Sequence, residues 1–180
     1  TVDELKPVAG VADTLQPGDE IVAIAGNKLT SIDDFADVYE GLPNTRTVEW
    51  TVRRDGVETT VEALHPAPPM VDTVMPQSAA SDAGLRVGDL ITMVNGAPIA
   101  TFSDLQDIVT VGEGAPLDLV IARGAERLEL TLTPLSKDLP SADGGYETRY
   151  LIGIGGGLFF EPATENMGVF EAVGNGIDTV

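Results

Sequence analysis

Leu85-Arg86-Val87-Gly88-Asp89-Leu90-Ile91-Thr92-Met93-Val94-Asn95-Gly96 repeats, without a gap, a stretch 70 residues earlier. That stretch is Leu15-Gln16-Pro17-Gly18-Asp19-Glu20-Ile21-Val22-Ala23-Ile24-Ala25-Gly26. The match runs on: Leu29 meets Ile99, Ile32 meets Phe102, Asp34 meets Asp104, Phe35 meets Leu105 and Val38 meets Ile108. Arg54 then meets Arg123 after a slip of one residue. Such a period is too long for a solenoid unit and suits a small domain, so the chain reads as two copies of one fold. His65-Pro66-Ala67-Pro68-Pro69 reads as a short, stiff linker between them.

The local signals agree in both copies. Gly-Asp followed by an apolar run predicts a turn entering a strand, Glu20 to Ala25 and Leu90 to Val94, ended by Gly26 and Gly96. Helices are predicted over Ser31 to Tyr39 and Ser103 to Val109. Ser31 and Asp34 resemble a capping box, and Ser103 is the expected N-cap of the second helix. Val48, Trp50 and Val52 alternate toward an Asp55-Gly56 hairpin turn, and Val57 to Leu64 returns. Leu117, Leu119 and Ile121 lead to Gly124, and Leu128, Leu130 and Leu132 return on one face.

The composition narrows the function. The chain has 180 residues, 29 acidic and 10 basic, and a net charge of −19. Phosphate backbones and anionic lipid surfaces repel such a chain, so no nucleic-acid partner is expected. There are no cysteines, hence neither a disulfide framework nor a thiolate metal site. No stretch reaches the roughly 20 apolar residues of a membrane helix. Without an initial Met or a signal peptide, the chain reads as a soluble piece of something longer.

Catalytic signatures are missing from the sequence. His65 is the one histidine, and its place in the proline run predicts a solvent-facing side chain. There is neither a His-Glu-x-x-His zinc motif nor a Gly-x-Ser-x-Gly, and no second His for a triad. Asp33, Asp34, Asp37, Asp104 and Asp107 read as solvated helix acids rather than metal ligands.

The stretch Ser78-Ala79-Ala80-Ser81-Asp82-Ala83-Gly84-Leu85-Arg86-Val87-Gly88-Asp89-Leu90-Ile91, with Val94-Asn95-Gly96 after it, resembles the bacterial, circularly permuted PDZ domain. Small alanines suit a short helix packed close to a sheet, and Gly84 suits a left-handed C-cap. The first copy keeps Leu15, Gly18-Asp19, Ile21 and Gly26 but has no Ala-Gly before Leu15. The resemblance implies an α+β fold of two small PDZ-like domains. Each would be a strongly bent antiparallel sheet or partial barrel with one main and one short helix. Residues 1–66 would form a degenerate first domain and 67–165 the second, with 166–180 an amphipathic tail leading toward a membrane helix.

Tandem domains of this kind occur in site-two-type intramembrane zinc metalloproteases and in HtrA-type serine proteases; nearly the whole chain resembles the former, most strongly over residues 76–133. The resemblance implies a non-catalytic, substrate-discriminating periplasmic segment of an inner-membrane hydrolase acting in regulated intramembrane proteolysis. Zinc would belong to the parent outside this segment, which itself holds no cofactor. The partner would be an extended peptide or a trimmed membrane-protein substrate, with membrane contact only through flanking segments and a monomeric fragment. The alternatives are the PDZ tail of an HtrA-type periplasmic serine protease and a stand-alone PDZ adaptor.

In this family a peptide adds a strand to a sheet edge beside a helix, and an apolar-Gly-apolar loop collects backbone N–H groups for its carboxylate. The resemblance places that loop at Leu151, Ile152, Gly153 and Ile154, with Phe102, Gln106 and Val109 as the facing helix side and Leu105 and Ile108 toward the core. Read without the family, Leu151 to Phe160 is a buried strand with flexible glycines. The first copy runs from Leu64 through prolines into the second and shows no such loop, so it is expected to bind carboxylate-ended peptides poorly or to act as a steric filter.

Overall fold

The computed structural model describes residues 1–5, 14–31 and 33–162; the expected tail at 166–180 lies outside them. The first unit contains β1 (Val2–Leu5), β2 (Glu20–Ile24), β3 (Asn27–Lys28), α1 (Asp33–Glu40), β4 (Thr47–Arg54) and β5 (Val57–Leu64). The second contains β6 (Thr73–Val74), α2 (Ala79–Ala83), β7 (Leu90–Val94), β8 (Ala97–Pro98), α3 (Phe102–Val111), β9 (Leu117–Arg123) and β10 (Glu126–Leu132). After it come β11 (Leu135–Pro140), β12 (Tyr146–Leu151), β13 (Ile154–Gly155) and β14 (Phe160–Pro162). The architecture is α+β, as expected.

Two four-stranded sheets share one hydrogen-bonding pattern. The main sheets run β3-β2-β4-β5 and β8-β7-β9-β10, both antiparallel. Each bulges at the same place, between Ile21 and Ala23 and between Ile91 and Met93. The hairpin after the bulge turns on Ala25-Gly26 in one sheet and Asn95-Gly96 in the other, all four at positive φ. Asp55-Gly56 turns β4 into β5 in the same way.

One ion pair explains why each copy carries Gly-Asp before a strand and an arginine 34 or 35 residues later. Arg54 donates from Nε and Nη2 to the two oxygens of Asp19, both at 2.7 Å. Arg123 does the same to Asp89, both at 2.8 Å. Each aspartate is 1% exposed and also accepts a backbone N–H, from Gln16 or Arg86. Paired and bonded at both oxygens, the buried charge is satisfied. The Arg54 guanidinium holds the Asp19 carboxyl below its ordinary range, and Asp89 holds the Arg123 guanidinium above its own.

Helix starts follow side-chain chemistry. Ser31 and Asp34 exchange bonds as a capping box. The second helix begins earlier than expected: Thr101, not Ser103, is the N-cap, and it forms the box with Asp104. Thr101 stands 70 residues after Ser31, so the repeat itself carries that signal.

Two cores lie side by side. One gathers Ala80, Leu85, Ile91, Phe102, Leu105, Val109, Ile121, Ile152 and Ile154. The other gathers Val2, Leu15, Ile24, Phe35, Trp50 and Val52, together with Met70 and Leu90 and with Leu158, Phe159 and Phe160. The run that follows the second unit therefore returns to the first, where β14 pairs with β1. The limits 1–66 and 67–165 take no account of this return. The proline stretch expected as a short, stiff linker is packed into the fold, since residues 63–71 are all buried.

Candidate functional site

The loop Ile152-Gly153-Ile154 wraps the start of α2. The Ala80 N–H donates to the Ile152 carbonyl at 2.9 Å, and the Met75 N–H donates to that of Gly153 at 2.8 Å. Ser78 caps the helix by accepting from the Ser81 N–H and donates its hydroxyl to the Met75 carbonyl. Gly153 has φ +83°, and a Cβ there would stand 2.2 Å from the Ser78 Cβ. Both conformation and space demand glycine at this point. Ile154 then opens β13, which pairs with β6 in the register Ile154↔Val74.

The helix face lies against this strand. Phe102, Val109, Ile152 and Ile154 share one core cluster, and each is at most 1% exposed. Gln106 is half-buried, and Leu151 precedes the loop half-buried. A Cβ on Gly156 would meet the Phe102 ring at 2.6 Å, so backbone and ring touch directly. The sequence-predicted residues are thus brought together, but as a packed seam. Phe102 and Val109 are as buried as Leu105, so the split into groove-facing and core-facing sides is not the observed one: the three form a single apolar stripe. At the far end of α3, Tyr150 lies over Gly114, where a Cβ would fall 2.6 Å from its ring.

The first unit has an equivalent loop, supplied from far along the chain. The Val2 N–H donates to the Asp19 carbonyl and the Gly18 N–H to that of Val2, just as Val71 bonds with Asp89 and Gly88. Val2 and Val71 are therefore counterparts. Phe160 pairs with Leu5 where Ile154 pairs with Val74. Leu158-Phe159-Phe160 consequently takes the position of Ile152-Gly153-Ile154. Phe159 replaces the left-handed glycine and keeps a negative φ, so the backbone donors of the two loops are not arranged alike. Phe160 packs edge-on to Trp50 and Phe35. The prolines after Leu64 hide this loop from a local reading, and the distant Gly157-Leu158-Phe159-Phe160 run is its sequence signal.

His65 corrects another expectation. It is 4% exposed, accepts the Ala67 N–H at Nδ1 and stands edge-on to the Tyr39 ring. Burial pushes its pKa down and that of Tyr39 up. Beside it the units are tied by Asn44, which donates to Asp104 at 2.5 Å and accepts from the Thr101 hydroxyl at 2.9 Å. Among the described residues no three His, Cys, Asp or Glu side chains converge on a metal position, and no helix is long and apolar enough to cross a membrane. The donor set for a zinc ion is not found among these residues.

Residues 70–123 match the PDZ domain family model. The chain is 35% identical over 114 residues to a Rhizobium meliloti protein provisionally named a zinc metalloprotease, covering 61% of this chain and 30% of that protein. It is 42% identical over 69 residues to the regulator of sigma-E protease RseP of Escherichia coli, covering 38% of this chain and 15% of the relative. It is 39% identical over 61 residues to the serine protease HTRA1 of Xenopus tropicalis, covering 34% and 13%. The chain thus spans under a third of the length of these relatives. Residues 70–123 match the PDZ domain, in a chain similar over that region to bacterial zinc metalloproteases of the RseP type.

Proposed function

We propose that this chain is the peptide-recognising, substrate-discriminating PDZ pair of a membrane-embedded zinc metalloprotease acting in regulated intramembrane proteolysis. It would lie on the periplasmic side, act as a monomeric module and leave catalysis to zinc ligands elsewhere in the parent. The observation that carries the reading is the Ile152-Gly153-Ile154 loop. A left-handed glycine pressed on a helix cap fixes the start of β13 directly beside the apolar stripe of α3. An extended partner would add its backbone to β13 and place its last side chains against Val109 and Phe102. Because Gly156 and Phe102 touch, docking requires α3 to part from β13, so the second unit answers only to partners that repay that separation. The first unit, lacking the glycine, is the better candidate for a steric filter against bulky substrates. Similarity to HTRA1 is shorter than that to the metalloproteases, and a serine-protease parent is the second reading.

The test is amide-resolved NMR titration with extended peptides ending in a free carboxylate. The reading expects the largest shifts at Gly153 to Gly156 and along α3. Saturable binding that leaves those amides unmoved would reject it.

A further inference from the structure

Arg53, Arg54, Arg123 and Arg149 each stand within 3.2 Å of a carboxylate. Lys28, Arg46, Arg86, Arg127 and Lys137 form no ion pair among the described residues, although acids outnumber bases nearly three to one. Of these, Arg46 and Arg127 line one open trough of about 580 Å³, with Thr92 and Glu126 also on its wall. Arg46 and Thr92 also border a deeper cavity of about 220 Å³. Its apolar wall includes Leu64 of the first unit, Pro69, and Leu90 and Ile99 of the second. The cavity lies where the two units meet, and it shares Arg46 and Thr92 with the trough.

The size and chemistry specify an occupant. Pockets for drug-sized ligands run from roughly 300 to 1,000 Å³; this cavity suits one or two side chains. Two guanidiniums against the single carboxylate of Glu126 leave the trough net positive on a chain of charge −19. A guanidinium with no partner matches a carboxylate through two parallel bonds. We propose that this cleft between the units binds the free C-terminus of an extended peptide. Its last, apolar side chain would enter the cavity, its carboxylate would pair with Arg46, and its preceding residues would pass Arg127 along the trough. The cleft is separate from the Ile152–Ile154 loop, so it stands or falls independently of the groove.

The probe is an N-acetylated tetrapeptide ending in leucine, with its C-terminally amidated form as the control, titrated into the full chain by calorimetry and amide NMR. Arg46 and Arg127 are exposed, so Arg46→Ala and Arg127→Ala keep the fold, as thermal melts will verify. The proposal expects shifts at Thr92, Ile99 and Gly124. It also expects at least tenfold weaker binding of the amidated peptide and of Arg46→Ala, a smaller loss for Arg127→Ala, and partial recovery in Arg46→Lys. Equal affinity for the two peptides, unchanged affinity in Arg46→Ala, or no detectable binding would each overturn it. Shifts confined to Gly153–Gly156 and α3 would overturn it too, while supporting the groove reading.

Discussion

Gly153→Ala is the most informative single change at the loop, because the structure supplies both parts of its cost. At φ +83° an alanine sits in the left-handed region, which costs about 1–2 kcal/mol. Its Cβ would also stand 2.2 Å from the Cβ and 2.7 Å from the hydroxyl oxygen of Ser78. Ser78 cannot simply turn away, since it caps α2 and bonds the Met75 carbonyl. Forced overpacking of this kind costs about a further 1–3 kcal/mol. The sum is roughly 2–5 kcal/mol for the second unit. Gly96→Ala is the control: φ is +80°, but nothing lies within 4 Å of the added Cβ, so only the conformational part applies. Urea denaturation of both variants, followed by second-unit methyl resonances, gives the difference directly. If Gly153→Ala loses no more stability than Gly96→Ala, the loop is not wedged against the helix cap, and the reasoning about why glycine stands there is refuted.

Other outcomes follow from the same contacts. Asp89→Ala strands the Arg123 guanidinium and removes three charge-assisted bonds. Because Arg123 keeps about a quarter of its side chain in solvent, the loss belongs near the low end of the 3–5 kcal/mol of a broken buried pair, about 3 kcal/mol by denaturant midpoint. Gly156→Ala pushes against the Phe102 ring and costs about 1–3 kcal/mol, of which the Gly156→Ala/Phe102→Leu double variant recovers part in a thermal melt. His65 is buried with a lowered pKa, so the unfolded chain takes up its proton first as pH falls. Its contribution to stability is complete above about 6.5, the ordinary histidine value. It declines as pH drops below that value and levels off under the folded pKa, a slope that denaturation curves will show and His65→Gln will flatten.

The repeat made most of the fold readable. Gly18-Asp19 and Gly88-Asp89, the Ala25-Gly26 and Asn95-Gly96 turns, and the stripes around Trp50 and Ile121 are local patterns whose period and turn chemistry leave few choices. What escaped was non-local. Nothing near Phe160 announces that its partner strand begins at Val2, because pairing across the whole chain leaves no trace in a window of residues. His65 looked solvated because proline neighbours usually mark surface linkers, whereas the units close over it with Tyr39. In the seam, Phe102, Val109, Ile152 and Ile154 share one core cluster and Gly153 sits on the α2 cap, while Leu151 and Gln106 are half-buried beside them. That Gly156 seals the seam against Phe102 depends on a backbone-to-ring approach that only coordinates reveal.

The run that leaves the second unit completes the first, through β14 on β1 and through Leu158, Phe159 and Phe160 in its core. Trp50 is the sole tryptophan, lies fully buried in the first core and touches both Phe159 and Phe160 at about 6 Å between ring centres. The decisive measurement is the Trp50 fluorescence transition in urea for the Phe159→Ala/Phe160→Ala chain, read beside methyl resonances of Leu105 and Ile121 in the second core. Each lost ring costs about 3–5 kcal/mol. The Trp50 midpoint is predicted to collapse toward zero urea while the second-core midpoint moves far less. A Trp50 transition that stays where it was in the unaltered chain would contradict the account.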